Sequence, residues 1–487
     1  MMKYLYGASV KKIQSYIFES SKLQEIAGAS ELVEHICTDF FDDFIPEAQK
    51  TYVHKIIQAA GNIRVIIDDE ETARYIMLFF LKAASEAAPG IQIVHAIVPL
   101  SGDVLASADS MQLEKELTKQ LPDAGIYGDW SVTVKSRTTG KAVNNFSEMR
   151  DAGTEAKYNA VNKHWKNLRQ LFNVSSFPSN VDDIVGTDNF VAVIHADGNS
   201  LGKTLMNLKD QPDYGECWMK FSQELDRATT EAARKSYEDI CAAGKKFRPI
   251  ILGGDDLTVI CSADDAIPFT VKYLEYFKEE AAARSVLGNL TACAGIAFIK
   301  KNYPFFYGAD LAEMLCSETK KRAKRCSEDP VPSSFMFAKE LGGYVDQSFS
   351  AMEKRSLSAD TEKGRISFAF GPWKTSCNEA GGSKLPCIED LTEAAKVLKA
   401  YSPFHSGIRR YITELHVSFD GASFLADRIE EIAREKGASS QLEQLKQLLG
   451  KISGRKGNDP LRSILVSDNQ SSPVLDLLTV SQFLCND

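Results

Sequence analysis

The order strand, helix, hairpin, helix, strand occurs twice in this chain of 487 residues, and that repetition limits the fold more than any other feature of the sequence. In the first copy, 4–10 reads as a short apolar strand, and 12–41 carries Ile13, Ile17, Ile26, Leu32, Val33 and Ile36 near helical spacing. Two β-rich runs, 52–58 and 63–67, flank Ala59-Ala60-Gly61-Asn62, which is a hairpin signal; 71–87 returns to helix and 91–100 to strand. The second copy opens with 190–196 (Phe-Val-Ala-Val-Ile-His-Ala), a nearly continuous apolar run of the kind a buried central strand needs. A helical region then places Trp218, Phe221, Leu225, Ala228 and Ala232 on one face. The runs 247–252 and 257–261 flank Gly253-Gly254-Asp255-Asp256, and 266–283 and 290–300 supply the closing helix and strand. From the first strand's end to the hairpin glycine is about 52 residues in one copy and about 57 in the other. Matching order and spacing predict a diverged internal repeat, each copy a sheet faced by helices.

The remainder sets limits. Between the copies, 101–187 is polar and mixed, with a helix expected over 155–172 and a linker over 178–188. A Gly-, Ser- and Pro-rich loop is expected over 371–387, followed by amphipathic helices at 391–401, 408–415, 424–433 and 442–449. A net charge of −9 argues against a general basic field that coats nucleic acid, though not against a local basic groove. The basic run 320–325 reads as a solvent-facing helix end. Ten cysteines occur with no pair at Cys-x-x-Cys spacing, so no zinc site is expected, and scattered single thiols fit a reducing cytosol. Lys11 and Lys12 arrive before any signal core forms, and no apolar run is long enough to span a bilayer. The expectation is a cytoplasmic protein with no membrane partner.

Chemistry concentrates in the second copy. A buried strand ending in Ala196-Asp197-Gly198 places the Asp197 carboxylate at a sheet edge, and the hairpin delivers Asp255 and Asp256 beside it. Converging carboxylates repel and so call for a cation; all-oxygen ligands suit magnesium or manganese, in a two-metal site that activates a hydroxyl and neutralises a departing pyrophosphate. The bland alternative is a polar hairpin tip. Residues 198–204 (Gly-Asn-Ser-Leu-Gly-Lys-Thr) end as a phosphate-binding loop does, but the first glycine of that motif would fall at Asp197, so the spacing fails by one. The turn's backbone can still hold a triphosphate. His195 reads as a hydrogen-bonded core histidine ahead of a general base, and Lys320 as either a triphosphate ligand or a solvated lysine. The acidic run 68–71 reads as a turn and helix start. The first copy has no acid from Lys3 to Ser9 and reads Ala60-Gly61-Asn62 at its hairpin, so it lacks metal ligands.

These residues resemble the large palm-domain polymerase/cyclase subunit of type III CRISPR effector complexes, the Cmr/Csm large-subunit family. The resemblance rests on 196–203 (Ala-Asp-Gly-Asn-Ser-Leu-Gly-Lys), on Gly253-Gly254-Asp255-Asp256, on Ala294-Gly295-Ile296-Ala297 before Tyr303-Pro304, and on Lys320. In the first copy it rests on 13–18 (Ile-Gln-Ser-Tyr-Ile-Phe) and 26–32 (Ile-Ala-Gly-Ala-Ser-Glu-Leu). It implies an α+β fold of two ferredoxin-like palms with a helical C-terminal domain. The expected division is a degenerate palm at 1–105, an inter-palm linker at 106–187, a catalytic palm at 188–345 and a helical domain at 346–487. It further implies Asp197, Asp255 and Asp256 as catalytic, metal-binding acids, with Gly198, Asn199, Ser200, Leu201, Gly202, Gly253, Gly254 and Lys320 around the nucleotide. Many members turn ATP into cyclic oligoadenylate. The chain departs from the pattern in three places. It has no His-Asp dipeptide of the nuclease domain, no cysteine cluster around 136–141, and Asn199 where a second Asp is usual. The expectation is a short form without nuclease activity.

The reading is a nucleotidyltransferase making cyclic or linear oligonucleotide messengers from a triphosphate, ATP favoured, with RNA and type III effector subunits as partners. The alternative is a non-catalytic nucleotide- or RNA-binding scaffold. A diguanylate-cyclase-like enzyme fits less well, given the two palms and Asp256 where that class has Glu.

Overall fold

Strands that alternate sides and helices with one apolar stripe bury their surface by packing helix on sheet, and both copies do so. The protein is described here by a computed structural model over residues 2–484, except 103, 121–131, 162–165, 210, 212, 245, 327–329, 341, 343–345, 347 and 378–383. In the first palm, β1 (Tyr4–Lys11) leads through α1 (Ile13–Ile17), α2 (Leu23–Cys37) and α3 (Asp39–Phe44) to the hairpin of β2 (Val53–Ala59) and β3 (Asn62–Ile67). Helix α4 (Glu70–Ala87) and β4 (Gln92–Pro99) complete it. Asp69 caps α4 by accepting from Thr72 N at 2.8 Å, as the acidic run suggested. The strand order is β2-β3-β1-β4, all antiparallel.

Four short elements cross to the second palm: α5 (Ser107–Lys119), β5 (Val143–Asn145), β6 (Arg150–Asp151) and α6 (Ala152–Ala160), followed by α7 (Lys166–Leu171). Then come β7 (Phe190–Gly198), α8 (Leu201–Leu208), α9 (Tyr214–Ser236), β8 (Phe247–Gly253), β9 (Asp256–Ser262), α10 (Ala263–Ala282) and β10 (Ala292–Lys300). Their order, β8-β9-β7-β10, repeats that of the first sheet. The expected repeat is therefore the observed topology, two ferredoxin-like palms. Helix α11 (Phe305–Cys326) crosses to β11 (Ser334–Lys339), parallel to β10. After α12 (Phe349–Ser356) and the hairpin β12 (Ser358–Thr361) and β13 (Gly364–Ser367), β14 (Trp373–Lys374) extends the same sheet along β11. A helical region follows: α13 (Ile388–Ala400), α14 (Ser402–Leu415), α15 (Phe419–Glu435), α16 (Ser439–Ser453), α17 (Leu461–Ile464) and α18 (Val474–Phe483).

Strand β7 is apolar on both faces because both are covered. Ala192, Ile194 and Ala196 join Phe221 and Leu225 of α9 and Phe269 of α10 in one core. Val191 and Val193 join Phe305, Ala309 and Ala312 of α11 in the other, which is continuous with the first palm's core. Several expectations need correction. The 12–41 helix is α1, α2 and α3, broken at the polar stretch 19–22 and at Thr38. The 155–172 helix is α6 and α7, with 162–165 outside the described residues. The 371–387 loop contains β14, whose two residues are too few to show alternation; 378–383 lie outside the described residues. Cys377 and Cys387 form a disulfide, so not all the thiols are isolated; Cys485 also lies outside the described residues. No described helix is long and apolar enough to cross a membrane.

Candidate metal and nucleotide site

Register places the acids. In the β7–β9 ladder Ala196 faces Leu257, so Asp197 and Asp256 emerge at the same end of adjacent strands. Gly253 pairs with Asp256, leaving Gly254-Asp255 as a two-residue turn with Gly254 at φ +62°, where glycine is strain-free. The carboxylate oxygens of Asp197, Asp255 and Asp256 lie within 4.8 Å of one another. Gly198 permits this approach: a Cβ there would stand 3.2 Å from Asp255 Cβ and 2.9 Å from Leu201 Cδ1.

Burial first, then a hydrogen bond shared with Asp197 and the charges of Asp256 and Asp197, push the Asp255 carboxyl up to about 8. Burial and the Asp197 charge push Asp256 up to about 6, with Lys320 opposing. Carboxyls that hold protons near neutral pH, with oxygen as their only donor atom, fit a hard divalent cation such as magnesium or manganese. Lys320 of α11 reaches in from the Val193 face, ion-paired with Asp197 and donating to Gly198 O at 2.8 Å. It is therefore not a freely solvated lysine. Arg322 is also engaged, donating to Ala369 O at 2.7 Å and Gly371 O at 3.1 Å, so the basic run is not a uniformly solvated helix end.

The structure gathers Gly198, Gly253, Gly254 and Lys320 around the acids. Asn199 is turned inward, 2% exposed, its N–H donating to Thr291 O at 2.7 Å and its amide to Thr291 Oγ1 at 3.0 Å. Ser200, at φ +61°, opens α8, with Leu201 packed over Gly198 and Gly202 exposed. His195 is a core histidine, paired with Thr258 Oγ1 at 3.1 Å and lowered by burial to about 4, hence neutral at pH 7.

Sequence reasoning missed the residues that hold the turn. On α9, Asp226 Oδ1 accepts from Gly254 N at 3.0 Å, and Thr229 Oγ1 donates to Gly254 O at 2.6 Å. The available signal was two polar residues three apart beside the apolar stripe of Leu225 and Ala228. In the first palm Glu34 of α2 plays the same part, accepting a backbone hydrogen bond from Ala60 at that palm's hairpin.

A repeated ferredoxin-like unit with two acids at one hairpin and a third at the end of the neighbouring strand defines a two-palm protein. Residues 190–327 match the family model described as Cas10/Cmr2, second palm domain, so this stretch of the chain is similar to that domain. Among solved structures, the Csm1–Csm4 subcomplex of the type III-A CRISPR-Csm interference complex is similar at a TM-score of 0.47 and 14% identity, over 93% of this chain and 70% of that one. The Csm1–Csm4 cassette in complex with cA4 gives 0.44 at 13% identity over 66% and 53%, and with one ATP 0.44 at 11% over 66% and 53%. The chain thus spans about half the length of the cassette chains it matches. No curated protein matches it.

Proposed function

We propose that the second palm is a metal-dependent nucleotidyltransferase that joins nucleoside triphosphates, ATP first among them, releases pyrophosphate and makes cyclic or linear oligonucleotide messengers in CRISPR-type antiviral defence. The observation that carries this is the meeting of Asp197, Asp255 and Asp256 within 4.8 Å beside Lys320. Magnesium or manganese held by these acids would ease ionisation of a 3′- or 2′-hydroxyl and neutralise the leaving group. The chain's own residues do the rest. Asp255 and Asp256 would release their protons to water as they take up a cation, Lys320 offers its charge to a phosphate, and Gly198 lets Asp255 come close to the end of β7. The proposed division is 1–105, 106–187, 188–345 and 346–487, with one active centre per chain; RNA and type III subunits are the proposed partners.

The test is incubation with each triphosphate and magnesium, with and without RNA, reading pyrophosphate release and oligonucleotide product by mass spectrometry. Product is expected from ATP and lost in Asp255→Ala/Asp256→Ala. Undiminished product in that variant would sink the assignment, and nucleotide binding without turnover under every condition would favour the scaffold reading.

A further inference from the structure

A second group of metal-ligating side chains lies away from the palm acids, where β14 meets the helical region. Donor atoms of Cys377, Cys387 and Glu389 lie within 4.8 Å of one another. Cys377 Sγ is 3.7 Å from Asp390 Oδ2, and Cys387 Sγ is 3.9 Å from Glu389 Oε2. The two sulfurs form a disulfide in this structure. A disulfide sulfur has no proton to donate, so a carboxylate gains nothing by lying against it. The start of α13 accounts for acids in its first turn, but not for each acid's approach to a sulfur. Two thiols and two carboxylates brought together are a ligand set for a cation of intermediate softness, and zinc is that cation.

The frame holds these donors independently of the sulfur–sulfur bond. Lys374 N donates to Pro386 O at 2.9 Å, and Lys374 and Cys387 pair as a short parallel bridge. Trp373 is anchored to Phe335 of β11. Lys451 Nζ holds Asp390 Oδ1 at 2.7 Å, and Cys377 N donates to Glu389 Oε2 at 3.4 Å. Cys387 is the N-cap of the 13-residue helix α13, where the free N–H groups favour a thiolate. The Cα atoms of the two cysteines are 5.5 Å apart, so both side chains can turn to one centre.

We propose that Cys377, Cys387 and Glu389, with Asp390 beside them, bind a zinc ion once the disulfide is reduced, clipping the edge of the second palm's sheet to the helical region. A dithiol reductant supplies two electrons and two protons to open the bond and becomes a disulfide itself. Zinc then displaces the two thiol protons with no change of oxidation state. The site does not depend on the palm's activity.

The test uses the full chain reduced with a phosphine and titrated with cobalt(II), then zinc. The expected result is one cobalt per chain with thiolate-to-cobalt charge-transfer absorption, abolished by zinc and by Cys377→Ser or Cys387→Ser. Serine is a good helix N-cap, so Cys387→Ser keeps that role. Glu389→Gln should keep the charge-transfer band while weakening cobalt about tenfold or more. Cobalt at the palm acids, which are oxygen donors only, gives no such band. Reduced wild type without the band, or an unchanged band in Cys387→Ser, overturns the proposal.

Discussion

Asp226 shows how much of a site can rest on a residue that carries none of its chemistry. The Gly254 N–H lies in a turn that no neighbouring strand satisfies, and the Asp226 carboxylate, raised by burial, is its acceptor. Asp226→Leu leaves that N–H unpaired at a cost of about 1–3 kcal/mol and frees the turn to move. We expect turnover to fall about tenfold or more, with a rightward shift in magnesium dependence, whereas Asp226→Asn keeps an acceptor and stays within about threefold. Steady-state rates across a magnesium titration decide it, and equal behaviour of the two variants would remove Asp226 from the positioning role. Asp197, Asp255 and Asp256 were legible because a run of apolar residues and two glycines mark the strand end and turn locally. Asp226 and Thr229 were not, because their partner lies far along the chain. Asn199 has a contact that its motif did not announce: its buried amide donates to Thr291.

At the level of elements, two glycines in the motifs are packing requirements. Helix α11 crosses β10 at Gly295, where a Cβ would collide with the backbone of Ala312 and Cys316. At Gly28, helix α2 meets the backbone of Lys157 in α6 in the same way. Backbone cannot step aside as a side chain can, so Gly295→Ala should cost about 3 kcal/mol or more, measured as a lowered denaturation midpoint. Gly202→Ala is the control: nothing lies within 4 Å of its added methyl, and alanine is the better helix former, so the midpoint should hold or rise by up to about 1 kcal/mol. A Gly295→Ala midpoint equal to wild type would mean that α11 can shift off the sheet. The repeat itself was readable because long apolar periods survive divergence. The two-residue β14 and the Cys377–Cys387 pairing were not, since neither leaves a period, and the broken helix at 12–41 kept its spacing across the breaks.

On the scale of the molecule, the palms hold each other. Helix α2 of the first palm packs on β8 of the second, α9 of the second packs on β2 of the first, and Ser30 Oγ donates to Ile250 O across the boundary. The hairpin tips meet there: a Cβ on Gly253 or Gly254 would stand 3.8 Å from Ala60 Cβ. Behind the tips, Glu34 and Asp226, each gripping its own palm's turn, come close enough for their charges to oppose each other. Burial first, then the Asp226 charge, push Glu34 from 4.5 up to about 7. The folded state therefore binds this proton more tightly than the unfolded chain. Its contribution to stability is fully present below about pH 4.5 and is lost as pH rises through about 7; the Glu34 side chain still reaches solvent, and screening there keeps the change smaller than the full shift implies. Glu34→Gln keeps a carbonyl acceptor for the Ala60 N–H and cannot ionise. The variant should match the parent near pH 4.5 and exceed it in denaturation midpoint at pH 8, with a flatter profile between. A difference between variant and parent that is the same at both pH values would show that Glu34 does not titrate in this window, and that the contact between the palms carries no proton-linked strain.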